Sequence, residues 1–224
     1  MTIQIVTSYP VRLSLPAIMA QTTERRWRGR GADERKAERR ALLMAAAVKV
    51  YSERGFRHSS VKAVCDEAGL TERYFYESFA NSEDMLVAVA SASLEHMVSE
   101  LQAKCAAVAR ADRLETILFH YYGMLRKQPA HARAFLVEIR GISPVVDAYL
   151  ETATERFAEV VVDAPLDRLS RTDRMVAIGA VGAIVHIALD WILSDFASPI
   201  ENVVRAAAKL GSIIDGIEKK IRIA

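Results

Sequence analysis

Residues 39–89 read RRALLMAAAVKVYSERGFRHSSVKAVCDEAGLTERYFYESFANSEDMLVAV, and the spacing of apolar residues, glycines and hydroxyl side chains in this stretch decides the fold. Leu43, Ala46, Ala47, Val50 and Tyr51 recur at three- and four-residue intervals, so a helix from Asp33 to Arg54 presents one apolar stripe with charges opposite. Gly55 ends it, because glycine takes the left-handed conformation without steric cost, and Phe56 can fold back onto the last turn. Ser59 or Ser60 caps a second, short helix whose Val61, Val64, Cys65 and Ala68 face inward. Gly69 closes that helix, and Thr71 is placed to cap a third, TERYFYESF. Two short helices joined by the turn Ala68-Gly69-Leu70-Thr71 are a helix-turn-helix.

Toward the C-terminus, Asn81 caps a fourth helix with Glu83 and Asp84 in its first turn, where carboxylates suit the helix dipole. Its stripe, Met85, Leu86, Val89, Leu94, Met97, Val98 and Leu101, persists toward Ala109. Further helices are predicted over 113–127, 130–140, 144–162, 172–195 and 199–222, with Pro129, Pro144, Pro165 and Pro199 at starts or breaks. Hydrophobic residues make up 51% of the chain while only 10 glycines and 6 prolines occur, and alternating Val, Ile and Thr runs are missing, so the fold class is all-α. The longest apolar run, from Met175 to Leu189, is shorter than the roughly 20 residues needed to cross a bilayer. No membrane span is expected.

Toward the N-terminus, Arg25, Arg26, Arg28, Arg30, Arg35, Lys36, Arg39 and Arg40 crowd one stretch, although the formal net charge is only +2. Such a run is either a solvated tail or an arm over phosphates, and a DNA-facing domain directly after it favours the arm. The first residues contain an apolar stretch without a basic flank and broken by Pro10, Arg12 and Pro16, so export is not expected. That segment is read as unstructured, with Met19 as a second possible start. The cysteines, Cys65 and Cys105, form neither a CxxC pair nor a cluster with histidines, which argues against a disulfide framework or a zinc site and fits a reducing cytoplasm. No cofactor, metal or catalytic group is expected: a glycine-rich phosphate loop, HExxH and GxSxG are all missing.

The stretch Arg39–Val89 resembles the DNA-binding domain of the TetR family. The residues that carry the resemblance are Tyr51-Ser52-Glu53-Arg54-Gly55-Phe56, the helix-opening pair Ser60-Val61, the core Val64, Ala68 and Gly69, and Phe75-Tyr76 with the closing Phe79. Two positions depart from the pattern: Ser78 stands where an aromatic is usual, and Ser82 where a lysine is usual, which removes a phosphate contact. The resemblance implies three parts: a flexible basic extension over 1–32, a three-helix helix-turn-helix DNA-binding domain over 33–88, and a larger helical effector-binding and dimerisation domain over 89–224. It also implies a homodimer on a palindromic double-stranded operator, and a repressor released by an unknown small-molecule effector. The alternative is a constitutive DNA-binding protein without an effector.

A recognition helix needs an apolar face on its scaffold and an outer face of polar side chains for the groove. Phe75 and Phe79 supply the first. Thr71, Glu72, Arg73, Tyr74, Tyr76 and Glu77 supply the second, with Ser60, Lys62 and His58 as phosphate candidates near the second helix. Arg73 suits guanine or phosphate and the tyrosines suit phosphate or a thymine methyl. Glu72 and Glu77 either accept from cytosine amino groups or hold Arg73 and other basic side chains in place.

In the larger domain, Tyr121, Tyr122, Arg140, His186 and Trp191, with His120 and Asp190, are candidates to line an effector pocket. Gly179, Ala180, Gly182 and Ala183 permit close helix approach, either within one subunit or across a twofold axis. A pocket of several hundred cubic ångströms would favour the sensor over the constitutive reading.

Overall fold

The structure, a computed structural model, describes residues 31–223. Met19, the segment 1–18 and four arginines of the basic run, Arg25, Arg26, Arg28 and Arg30, lie outside the described residues. Helix α1 spans Ala32–Arg54, and its first turns, up to Glu38, belong to one compact unit while Arg39–Ala224 forms the other. The packing below is that of the second unit, in which every regular element among the described residues is helical.

The short helices follow the caps. Gly55, at φ 75°, ends α1 with its N–H on the Tyr51 carbonyl, and Phe56 sets its ring edge-on to Tyr51 at 5.3 Å. Helix α2, Val61–Ala68, begins at Ser60, whose Oγ accepts from the Ala63 N–H at 3.1 Å. Gly69, at φ 65°, closes it, and a Cβ there would meet nothing within 4 Å, so this glycine serves backbone conformation and not space. Helix α3, Glu72–Tyr76, follows at once. Thr71 occupies the cap position, but its side chain forms no capping bond, contrary to the expectation.

Helix α4, Ser82–Cys105, opens with a reciprocal cap: Asn81 Oδ1 accepts from the Asp84 N–H at 2.8 Å, and Asp84 Oδ2 from the Ala80 N–H at 2.9 Å. It joins two apolar cores. Its Met85, Leu86, Val89 and Ala90 lie with Leu43, Val50, Val64, Phe75 and Phe79 in the first, whereas its Val98, Leu101 and Cys105 lie in the second. That second core is built from α5 (Arg110–Lys127), α7 (Pro144–Val162), α8 (Arg171–Leu193), α9 (Ile200–Ala208) and α10 (Gly211–Ile223). The first core also takes in Ala134, Phe135, Ile139 and Val146, so the helices that carry α3 are buttressed from beyond position 88.

Two predicted helices differ from those observed. The helix expected over 130–140 starts at Pro129 as α6 (Pro129–Ala132) and widens into a π-helix over Arg133–Glu138, ended by Gly141 at φ 65°. The single helix expected over 199–222 is two, α9 and α10, divided at Lys209 and Leu210. Buried Val203, Ala207, Ile214 and Ile217 keep a seven-residue register across the break, which hides it from periodicity. Gly211 opens α10 close to α5, where a Cβ would stand 3.4 Å from Leu114 Cδ2.

Helix α8, at 23 residues, is long and apolar enough by length and composition to cross a bilayer, so the argument from a short apolar run does not hold for the helix containing it. Its Ala177, Val181, Ile184 and Ala188 are instead fully buried in the second core.

Candidate nucleic-acid interface

Helix α3 is too short to hold its own shape in water, so its position comes from its apolar side. Phe75 and Phe79 are buried, with ring centroids 5.6 Å apart, and Tyr76 meets Phe75 edge-on at 5.1 Å. Thr71, Glu72, Arg73, Tyr76 and Glu77 are exposed on the other side, and Tyr74 is half-buried. The predicted outer face is therefore assembled on one short helix behind a rigid turn.

Glu77 sits at the centre of an ion network. Its Oε1 accepts from Arg73 Nε at 3.1 Å, and its Oε2 lies 3.5 Å from Arg39 Nη2. The Arg39 guanidinium also covers the Tyr74 ring at 4.4 Å, a cation–π arrangement. Arg40, its neighbour, donates from Nη1 to the Ser78 carbonyl at 2.8 Å and covers the Phe79 ring at 4.1 Å. Of the two roles open to Glu77, the geometry displays the holding of arginines. Arg39 and Arg40 thus leave the basic run and clamp α1 to the end of α3. The signal was available: both precede Leu43 by one turn, on the stripe that packs.

The remaining candidates are on α2. Ser60 is exposed and spends an oxygen lone pair on its cap, leaving the hydroxyl proton to donate. Exposed Lys62 pairs with Asp66 at 2.7 Å, and that hydrogen bond and charge raise its pKa above the usual lysine value. A phosphate contact by Lys62 requires exchange of this partner. His58 is exposed at the end of a one-turn 3-10 helix, Phe56–His58.

The effector-pocket candidates separate into two groups. Tyr121, Tyr122 and Trp191 meet in the second core, with centroids 5.1 Å apart for the tyrosine pair and 5.9 Å for Tyr122 and Trp191. Tyr122 Oη donates to the Ile184 carbonyl at 3.0 Å and Trp191 Nε1 to the Ser198 carbonyl at 2.8 Å. Tyr121 Oη is buried with no hydrogen-bond partner, and burial pushes its pKa up. Arg140 and His186 do not join the cluster: both are exposed, with Arg140 Nε on the Leu136 carbonyl and His186 Nδ1 3.3 Å from the Gly182 carbonyl. Arg140 reaches Tyr121 only through its charge, which opposes the effect of burial. Asp190 is exposed and His120 half-buried.

Two open clefts, of about 310 and 270 Å³, lie elsewhere, between the end of α1 and the start of α6, sharing Ser52, Pro129 and Ala130. Beside them, His131 stacks on Phe135 at 4.5 Å with its Nδ1 buried and unpartnered, and desolvation pushes its pKa down to about 4.

On α8, Met175 (66% exposed), Val176, Gly179, His186 and Leu193 (61% exposed) form one outward line. A Cβ at Gly179 or Gly182 would meet nothing within 4 Å, so neither glycine serves close packing inside the chain. Ala180, by contrast, is buried in the second core.

A helix-turn-helix held on a four-helix scaffold and followed by a second helical core defines a DNA-binding regulator. Residues 43–89 match the family model described as bacterial regulatory proteins, tetR family. The chain is 27% identical over 192 residues to the HTH-type transcriptional activator FasR of Mycolicibacterium smegmatis, covering 79% of this chain and 86% of that one. Two solved structures share the fold. The transcriptional regulator FadR of Bacillus subtilis, in complex with stearoyl-CoA, superposes with a TM-score of 0.63 at 17% identity, over 79% of this chain and 98% of the other. The fatty acid degradation regulator FadR of Bacillus halodurans gives 0.64 at 15% identity, with the same coverages of 79% and 98%. Residues 43–89 thus carry a DNA-binding domain of the tetR family of bacterial regulatory proteins, and the chain as a whole shares the fold of such regulators.

Proposed function

We propose that the protein is a homodimer that reads an inverted-repeat DNA site with α3 and responds to a small molecule held by its C-terminal helices. The observation that carries this reading is the outer face of α3: Thr71, Glu72, Arg73, Tyr74, Tyr76 and Glu77 stand on a helix fixed from behind by Phe75 and Phe79. Ser60 and Lys62 then flank the groove as phosphate contacts. Residues 33–88 form the DNA-reading part, 89–224 the sensing and dimerising part, and the basic residues of 1–32 an arm over phosphates. Such a protein works in the cytoplasm, where its DNA lies, and not in a membrane.

The exposed line on α8 supports the dimer. Apolar Met175, Val176 and Leu193 flank Gly179 and Gly182, whose open Cα atoms let a second copy of the helix approach closely. Two copies of α3 must reach successive major grooves about 34 Å apart, which a twofold dimer supplies.

For the effector we propose a long-chain acyl compound. Support comes from the fold shared with a regulator bound to stearoyl-CoA, from the apolar second core, and from the Tyr121 hydroxyl, a buried donor awaiting an acceptor. Helix α4 lies in both cores, so a ligand that parts the second core shifts the helix on which α3 rests. The ligand acts only if it binds the two arrangements unequally, by about 1–3 kcal/mol of coupling. Release of DNA by the effector fits the repression expected from the sequence; the M. smegmatis relative is called an activator, so the sign of regulation belongs to the promoter and not to this geometry. One observation favours the constitutive alternative: Tyr121, Tyr122 and Trp191 are all buried against one another in the second core.

The test is fluorescence anisotropy on a duplex selected by the protein, titrated with stearoyl-CoA and with stearic acid. Release of the duplex by either supports the sensor. Anisotropy unchanged by both supports the constitutive DNA binder.

A further inference from the structure

We infer that Glu77 is a positioning residue for base reading: it tethers Arg73 by its Nε so that the two Nη groups present one fixed edge to a guanine. This rests on the proposed reading of α3 as the recognition helix. A guanidinium reads guanine through two parallel N–H groups aimed at O6 and N7, and that geometry demands a fixed plane. Arg73 is 84% exposed, and a side chain so free would sample many rotamers and fit phosphates as well as bases. Glu77 removes that freedom from the Nε side, at 3.1 Å, where it does not occupy the Nη groups.

The carboxylate is itself held. Its second oxygen faces Arg39 Nη2 at 3.5 Å, and Arg39 is anchored on the Tyr74 ring with only 14% of its side chain exposed. Glu77 therefore bridges α1 and α3, one oxygen to each arginine. A negative charge on a DNA-facing helix opposes binding to any phosphate backbone. Arg39 offsets that charge without reaching outward, so the cost falls on non-specific binding while Arg73 keeps its aim. Glu77 acts as a filter that trades overall affinity for discrimination at one base pair.

The experiment compares wild type, Glu77→Gln, Arg73→Lys and the double variant on a duplex selected from a random pool by the wild type, on its single-base variants, and on a scrambled duplex of the same composition. Salt is fixed. Glu77→Gln is expected to bind the scrambled duplex more tightly and to lose discrimination about tenfold at one G·C pair per half-site, within the range of a bidentate contact. Arg73→Lys, which keeps the charge and the Arg39–Glu77 tie, is expected to lose discrimination at that same pair. The double variant should lose no more than either single one, since both act through one contact. Unchanged discrimination at every position in Glu77→Gln, or an equal loss of affinity for all duplexes, overturns the inference while leaving the recognition helix in place. A wild type that selects no sequence overturns the reading of α3 as well.

Discussion

Tyr121 and Tyr122 are adjacent in sequence, both buried, and differ in one hydrogen bond, which makes them a controlled pair. Changing either to phenylalanine keeps the ring in place, against Phe157 at 4.9 Å for Tyr121 and Trp191 at 5.9 Å for Tyr122, so no cavity opens. Tyr122→Phe removes the bond to the Ile184 carbonyl, and a typical net hydrogen bond contributes about 1 kcal/mol. Tyr121→Phe removes a hydroxyl that folding has stripped of water without replacement, a penalty of roughly 1–3 kcal/mol. The two substitutions should thus move stability in opposite directions, separated by about 2 kcal/mol or more. Urea unfolding at one fixed protein concentration reads the difference, the fixed concentration being required because the stability of the proposed dimer would depend on it. Equal destabilisation by both variants would refute the reasoning, because it would mean that the Tyr121 hydroxyl has a partner in the folded protein. If the hydroxyl is held for an effector, Tyr121→Phe should also weaken the response to acyl compounds while raising stability.

Gly69 offers a second contrast: at φ 65° with open space around it, Gly69→Ala should cost about 1–2 kcal/mol through backbone strain alone, and Gly69→Asn less, since asparagine tolerates this region. Urea midpoints would show it, and an asparagine no better than alanine would contradict it. Ser60→Ala should cost about 1 kcal/mol of stability through the lost cap, whereas Thr71→Ala, which loses no capping bond, should leave the urea midpoint nearly unchanged and weaken DNA binding. The reverse pattern would remove Thr71 from the DNA-facing side. His131 titrates near 4 when folded against an unfolded value of 6.5, so the unfolded chain binds the extra proton between these values. Stability should therefore fall as pH drops from 6.5 toward 4, and His131→Gln should flatten that slope; an unaltered slope assigns it to other groups.

The short helices were legible because their ends are written in single residues whose physics is local. Gly55, Ser60, Gly69 and Asn81 each act through a backbone angle or one hydrogen bond, and no distant partner is needed. Burial of Phe75 and Phe79 followed from spacing for the same reason. What escaped depends on partners far along the chain. Arg39 and Arg40 read as part of a charge run; their place one turn before Leu43 marks them as packed, but their partners Glu77 and Ser78 lie across the turn and are not written locally. The break between α9 and α10 is masked by an unbroken apolar register. The C-terminal candidates share a side-chain type, which does not determine whether an aromatic or basic residue faces inward. Trp191 does and His186 does not, five positions apart on one helix.

The central claim is that α3 reads specific bases as one of a symmetric pair. Selection of duplexes from a random pool by the intact protein, at fixed near-physiological salt, tests it most directly. The account predicts enrichment of an inverted repeat with half-site centres about one helical turn apart, roughly 10 bp, or a multiple of it. A pool that emerges without any enriched sequence would contradict it.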